Sequence, residues 1–410
     1  MSTVLERWFR PVEMPYGALA ALLGIAVFAL SWTLLHHGVF ARQQIPDTPV
    51  YQAYGDAMVN GEVPYRDFSV EYPPAALPTF LVPAIGHPSP TDYTRRFGWI
   101  MLACGVAMLA LMAAALSGLG AGPGRLFGAL AFAGLAPLAL GSVVLTRFDL
   151  WPAAITAGAL AALLAGRERL GTGLIGLGFA AKLYPGLLLP LALAYVWNRR
   201  GRRQALLCAG IFLAVAVVVF VPFLALAPGG VWNSVFRQGS RPLQIESLGS
   251  ALLIAAHHVW GLGVTMRSSH GSQNLAGSGP NALAALQSLI QAVAVIAIWV
   301  WYARGEPSRD RLVQAGAAVV VAFVALGKVL SPQFLVWLIP LVPLVRGRRG
   351  LVASGLFALA LTLTQLWFPY RYWDLALHFG ATPSWLLLAR DLALVGLFAA
   401  LAWPARPART

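Results

Sequence analysis

Among the 29 basic residues only two are lysines, Lys182 and Lys328. Each closes an apolar run and stands three or four residues before a proline, in Lys182-Leu-Tyr-Pro185 and Lys328-Val-Leu-Ser-Pro332. A charged lysine in hydrocarbon costs roughly 2.5–3.5 kcal/mol, so each one asks for a partner. An anionic phosphate at the membrane interface would supply it; snorkelling to lipid headgroups is the plainer alternative. A second group of chemistry-bearing residues lies between 39 and 96: Asp47, Tyr51, Asp56, Tyr65, Glu71 and Tyr72, set among turn-forming Gly and Pro. Tyrosine rings beside carboxylates offer a flat apolar face with a hydrogen-bonding rim, which suits sugars. A third group is Arg147 and Asp149 in Thr146-Arg-Phe-Asp-Leu-Trp151, which either pair with each other or meet a ligand. A fourth is Arg237, Arg241 and Glu246, where arginine suits bidentate phosphate recognition.

The elements that position these groups are membrane helices. Of 410 residues, 59% are hydrophobic and 11% charged, where soluble chains carry about a quarter charged. Apolar runs at 18–35, 100–116 and 351–366 approach the roughly 20 residues needed to span a bilayer. In lipid such runs must be helical. The net charge of +14 does not signal nucleic acid. The arginines fall in short clusters between apolar runs, and no basic stretch interleaves with aromatics.

With both termini cytoplasmic, the chain threads as twelve crossings: 16–38, 97–118, 126–145, 150–166, two short arms in 170–198 hinged at Lys182, 204–224, 282–303, two short arms in 312–345 hinged at Lys328, 351–368 and 385–403. The first run is read as a retained helix, because no small-residue cleavage site follows it. The segment 72–86, with four prolines, is read as an external or re-entrant helix. Segments 39–96 and 225–281 are external. Arg147–Asp149 occupies a tight external turn, both lysines sit at outer hairpin apices, and Arg390–Asp391 is a charge pair inside the last helix. The whole is one all-α polytopic domain spanning 1–410. Cys104 and Cys208 are expected as buried free thiols. The histidines form no ligand-spaced cluster, and neither Walker nor HExxH nor Gly-x-Ser-x-Gly motifs occur.

Chemistry therefore concentrates outside the membrane, in a plasma-membrane protein whose active site faces away from the cytoplasm. An external site has no access to cytosolic nucleotide sugars, whereas a sugar on a polyprenyl phosphate places its tail in lipid and its phosphate at the interface. Phosphate is a good leaving group that needs charge stabilisation more than protonation. One carboxylate acting as base on an acceptor hydroxyl would then suffice, with inversion. A twelve-helix transporter or lipid flippase is the alternative, its two lysine-proline hairpins being halves of a repeat.

Three stretches carry a family resemblance: Asp47-x-x-x-Tyr51 with Gly61-x-x-x-Tyr65 and Tyr72-Pro-Pro74; Lys182-Leu-Tyr184-Pro185-Gly-Leu-Leu-Leu-Pro190; and Ser331-Pro-Gln333-Phe-Leu-Val-Trp337-Leu-Ile-Pro340. Together they resemble glycosyltransferases of family 87, polyprenyl-phosphate-mannose-dependent α-mannosyltransferases of the GT-C type. The resemblance implies a GT-C fold with external amphipathic helices and no obligatory metal or other cofactor. It implies a polyprenyl-phosphate sugar as donor, mannose or a pentose such as arabinose, and a glycan or glycolipid acceptor. It implies an aspartate base that maps to Asp47, with Asp56 as the alternative, and it adds Tyr184 and Gln333 to the substrate-contacting set. Thr48-Pro49 follow Asp47 where the family commonly has an aromatic or aliphatic residue.

Overall fold

The computed structural model describes residues 15–402; the N- and C-terminal arginines expected on the cytoplasmic side, Arg7, Arg10, Arg406 and Arg409, lie outside the described residues. Among the described residues seven helices are long and apolar enough to cross a membrane: Tyr16–Leu34, Pro90–Gly118, Pro123–Leu140, Arg202–Leu226, Ser278–Ala303, Gly347–Trp367 and Ala381–Ala402. They coincide with seven of the twelve expected crossings, and the protein is an all-α multi-pass membrane protein. The other five are shorter. Leu150–Leu164 is buried along almost its whole length; with no face toward lipid it is the central post of the bundle, packed on Pro90–Gly118 and Glu168–Ala181.

The first hairpin is Glu168–Ala181 and Leu189–Arg200, joined through the 3-10 turn Tyr184–Leu188. Gly178 makes this fold-back possible: a Cβ there would stand 2.9 Å from Pro185 Cβ. The second hairpin differs from the expected pair of helices. Arg309–Ala325 is α-helical, started by Ser308, whose hydroxyl accepts the Arg311 N–H. The returning arm is two 3-10 segments, Pro332–Leu338 and Val342–Leu344. Pro332, Pro340 and Pro343 each remove a backbone donor, which an α-helix of this length cannot spare.

The segments between spans gather at one end of the bundle. Helix Thr48–Val59 packs on Leu77–Ala84, with Gly55 against the Phe80 carbonyl; Leu77–Ala84 belongs to the proline-rich stretch expected as an external or re-entrant helix, and it lies back on the loop layer. Between 227 and 277 stand helices Pro228–Gly239 and Leu248–Trp260 and a feature the sequence reading did not anticipate, a three-stranded antiparallel sheet. Its strands are Leu243–Gln244, Thr265–Ser269 and Ser272–Ala276, the last in the middle. The hairpin turns at His270 and Gly271, both with positive φ, which is the backbone a tight two-residue turn demands. Hydrogen bonds from Gln238 to the Glu71 carbonyl, and from Tyr370 to the Val39 carbonyl, weld the layer together. The arginine clusters of the inter-span turns, including Arg125, Arg200, Arg309 and Arg346, lie at the opposite end.

Candidate active site

Asp47 is the residue immediately before helix Thr48–Val59, so it projects from the rim of the loop layer. Its Oδ2 accepts a long hydrogen bond from the Tyr51 hydroxyl, one turn on, at 3.4 Å. Arg147 Nε stands 3.1 Å from the same oxygen as an ion pair, without the alignment of a hydrogen bond. Burial lifts the Asp47 carboxyl above its ordinary 3.8, against the pull of Arg147 and Lys182.

Arg147 and Asp149 do not pair with each other as considered above. The turn between helices sends them to different partners. Arg147 takes Asp47, and Asp149, whose side chain is 1% exposed, takes Lys182 as a charge-assisted contact. Trp337 Nε1 donates to Asp149 Oδ1 at 2.6 Å, while Asp149 Oδ2 has no hydrogen bond among the described residues. The Lys182 ammonium also lies 4.5 Å from the Phe148 ring centroid and 5.1 Å from that of Trp337. Both hairpins therefore reach one cluster: Lys182 comes from the apex of the first, and Trp337 from the irregular arm of the second.

Behind this pair of ion pairs lies Glu246. It is buried, with Gln244 donating to its Oε2 and Ser331 donating to the same oxygen at 3.5 Å. Burial pushes its carboxyl up to about 7, with Arg390, Arg147 and Arg241 pulling the other way. Arg390, inside the last helix and wholly buried, donates to the Glu246 backbone carbonyl at 2.7 Å and is ion-paired with Asp391 at 2.8 Å. The expected intramembrane pair thus also anchors the loop layer. Arg241 feels Glu71, Tyr72 and Glu246 electrostatically, which offset part of the lowering that burial imposes on it. It makes no ion pair within 4 Å among the described residues, and its Nε is an unpartnered buried donor.

The remaining expected residues divide. Tyr72 belongs to the cluster, its ring edge-on to Phe148 at 4.8 Å and to Tyr51 at 5.8 Å. Glu71 belongs to its rim: a Cβ on Gly271 would meet its Oε1 at 3.2 Å, and it faces Tyr54. Arg237 is exposed on Pro228–Gly239 and acts on Tyr54 from the same rim. Tyr184 is a support. Its hydroxyl is bonded to that of Thr156 at 3.0 Å, and its ring stacks on Trp337 at 4.4 Å. Tyr65 pins the loop by donating to the Tyr72 carbonyl at 2.6 Å, with its ring on Phe223. Gln333 is half-buried, with no hydrogen bond among the described residues.

Two expectations fail on geometry. Asp56 lies nine residues after Asp47, two and a half helical turns, so it projects from the opposite face; it faces Tyr93. Lys328 does not join Lys182. Its ammonium donates to the Gly239 carbonyl at 2.8 Å, and its backbone carbonyl receives the Gln244 N–H, so it holds the sheet to the hinge. Among residues passed over, Trp337 and Phe148 line the Lys182 site, and Tyr372 shares the field of Glu246, Arg147 and Arg241. An indole in a proline-rich arm and an aromatic loop at 368–373 were the only signals for them.

Among the described residues no group of three His, Cys, Asp or Glu could hold a metal ion. Cys104 and Cys208 are buried free thiols.

The sequence profile of glycosyltransferase family 87 matches residues 70–332. No curated protein matches the chain. Two solved structures with a related chain path are those of ArnT from Cupriavidus metallidurans. The form bound to undecaprenyl phosphate is 16% identical, with 94% of this chain and 76% of that chain covered, at a TM-score of 0.49. The apo form is 15% identical over the same shares, at 0.48.

Proposed function

The chain belongs to glycosyltransferase family 87, and we propose that it transfers a sugar, mannose in the first instance, from a polyprenyl-phosphate donor to a glycan or glycolipid acceptor, with Asp47 as base. The observation that carries this reading is the half-buried Asp47 carboxylate, which shares one cluster with Arg147 and Lys182 at the loop end of a membrane bundle, with Arg241 close by beside Glu71 and Glu246. A hydroxyl-activating carboxylate and phosphate-holding cations are the two groups the reaction needs.

The cluster holds three cations, Arg147, Lys182 and Arg241, and three carboxylates, Asp47, Asp149 and Glu246. Because burial raises Glu246 to about 7, it is largely protonated below neutrality, which removes one negative charge from beside Arg147 and Arg241. A donor phosphate would take that place beside the two arginines. Arg147 is the group able to serve two anions, since its contact with Asp47 is close yet not aligned as a hydrogen bond. As Arg147 turns to the phosphate, its pull on Asp47 weakens and the carboxylate becomes more basic.

Asp47 then takes the proton of the acceptor hydroxyl, whose oxygen attacks the anomeric carbon. The bond from that carbon to the phosphate oxygen breaks, its electron pair stays on phosphate, and polyprenyl phosphate leaves. A single displacement inverts the anomeric centre. Tyr72, half-buried and kept neutral because burial holds it far above its ordinary 10, offers a hydrogen-bond donor to a sugar hydroxyl, while the fully buried Tyr51 donates to Asp47. Here the cations of the cluster supply the charge stabilisation. In this reading the site faces away from the cytoplasm at the plasma membrane.

The transporter alternative asks for polar groups near the bilayer midplane. The deep charges here are one ion pair, Arg390 with Asp391 at 2.8 Å, with Arg390 also donating to the Glu246 carbonyl. The test is transfer of labelled mannose from polyprenyl-phosphate-mannose by membranes carrying wild-type or Asp47→Ala protein. Undiminished transfer by the variant removes the Asp47 assignment. Lipid scrambling by the pure protein without any glycosyl transfer favours the transporter.

A further inference from the structure

At the end of the bundle remote from Asp47 lies a polar cavity of about 670 Å³. It is walled by the end of helix Ser278–Ala303 at Trp301, by Ser308, Asp310 and Arg311 where Arg309–Ala325 begins, and by Arg346 and Arg349 at the start of Gly347–Trp367. Helix Ser278–Ala303 has 26 residues, about 39 Å at 1.5 Å each. Gln287, in its first half, donates to the Gly327 carbonyl beside the Lys328 hinge. Trp301 lies fourteen residues further on, so the cavity is a separate site.

Its charges are unevenly satisfied. Arg311 is spent on the protein: it donates to the Glu306 and Trp301 carbonyls, and its guanidinium lies 4.5 Å from the Trp301 ring centroid. Asp310 is neutralised twice, by Arg125 at 3.3 Å and by Arg346 at 3.2 Å. Arg346 is 72% exposed and can turn to another anion. Arg349 is half-buried and makes no hydrogen bond or ion pair among the described residues. Of the three arginines that line the cavity, Arg346 shares Asp310 with Arg125 and Arg349 has no carboxylate of its own; Glu306 is the only other acid in the wall.

What reaches this cavity is indicated by the helix that forms its wall. Leu289, Val293, Ile296 and Val300 are exposed at 61%, 57%, 53% and 39%. Their 4-3-4 spacing sets them in one stripe along Ser278–Ala303, and the stripe ends beside Trp301 at the mouth of the cavity. In a membrane this stripe lies against acyl chains, and Trp301 stands where a span meets the headgroup layer. We propose that the cavity binds the headgroup phosphate of an anionic phospholipid, with Arg346 and Arg349 on the phosphate and the acyl chains along the 289–300 stripe. Basic pockets between membrane helices recognise anionic headgroups by this combination of fixed charge and apolar wall. The assignment is independent of the sugar donor, and none of these residues touches the Asp47 cluster.

The test is native mass spectrometry of the full chain released from mixed micelles with phosphatidylglycerol or phosphatidylcholine. Wild type, Arg346→Gln/Arg349→Gln and Arg203→Gln are compared; Arg203 is an exposed arginine on a different helix and serves as the charge control. The expected result is retention of phosphatidylglycerol over phosphatidylcholine by wild type and Arg203→Gln, and retention about tenfold weaker in the double variant. Three results overturn the proposal: equal retention of both lipids, equal loss in Arg203→Gln, or unchanged retention in the double variant. A parallel arm with inorganic phosphate in lipid-free detergent identifies the source. If phosphate alone raises the melting midpoint of wild type but not of the double variant, the cavity takes a soluble phosphate and the lipid assignment falls. Arg346 is exposed and Arg349 half-buried, and an unchanged elution profile confirms that the variants are folded.

Discussion

Lys182→Met offers the sharpest probe of the buried charge cluster. The substitution keeps the length of the side chain and removes its charge. It leaves Asp149, 1% exposed, with the Trp337 indole as its one remaining donor and with Oδ2 still unpartnered. Breaking a buried pair by removing one partner costs roughly 3–5 kcal/mol, since the surviving charge has lost both water and counter-ion. Loss of the ammonium from between Phe148 and Trp337 adds up to about 2 kcal/mol of cation–π attraction. Asp149→Asn leaves the lysine unpaired in the same place and should be similarly damaging. The double variant Lys182→Met/Asp149→Asn buries no unpaired charge and should recover much of the loss, for a coupling of about 2–3 kcal/mol. Detergent-titrated unfolding in mixed micelles, followed by tryptophan fluorescence, measures all four corners of the cycle. Additive single effects would refute the claim that these residues form one buried pair. Transfer activity supplies the second readout. If Lys182 helps to hold the donor phosphate, the double variant is stable yet has a raised donor KM; a stable and fully active double variant confines the lysine to architecture.

Other substitutions probe the remaining parts. Asp47→Asn should lower transfer about 10²–10⁴-fold at unchanged folding, the usual span for loss of a general base, whereas Asp56→Asn on the opposite helical face should stay near wild type. Because burial raises the Asp47 carboxyl, wild-type transfer should fall as pH drops through a range above 3.8, the ionised form being the active one; a profile flat down to that value contradicts the assignment. Glu246 is raised from 4.5 to about 7, so its contribution to stability is complete below the lower value and is lost as pH rises through the upper one. Roughly 2–3 kcal/mol should disappear between pH 5 and 9, and Glu246→Gln should flatten that part of the unfolding curve. Lys328→Met should cost only the hydrogen bond to Gly239, about 1 kcal/mol, with donor KM unchanged in the transfer assay.

Much of the architecture was legible because transfer from water to lipid is a local property of the chain. Runs such as 18–35 and 351–366 become helices wherever they sit, and a proline before or after them marks where they turn. The hairpin apices at Lys182 and Lys328 were readable for the same reason. Membership in the glycosyltransferase family rested on short blocks whose order survives in the linear text. The sheet across 243–276 was hidden, since two-residue and five-residue strands among glycines and serines bury too little to leave a pattern. The 3-10 arm at 332–344 was hidden as well. Its hydropathy is that of a helix, and only the packing around three prolines selects the tighter turn.

Charge partnership is where the two levels part. Sequence alone determined that Asp47, Arg147, Asp149, Lys182, Arg241 and Glu246 would lie at or beyond the membrane boundary, because a solitary charge is too costly inside hydrocarbon. It also marked the two lysines as needing counter-ions. Tertiary structure decided that Arg147 goes to Asp47 and Lys182 to Asp149, that Trp337 shares Asp149, and that Lys328 goes to a backbone carbonyl. Coulomb attraction and desolvation depend on separations of a few ångströms between groups up to 188 residues apart. No spacing along the chain encodes those separations until the bundle has closed.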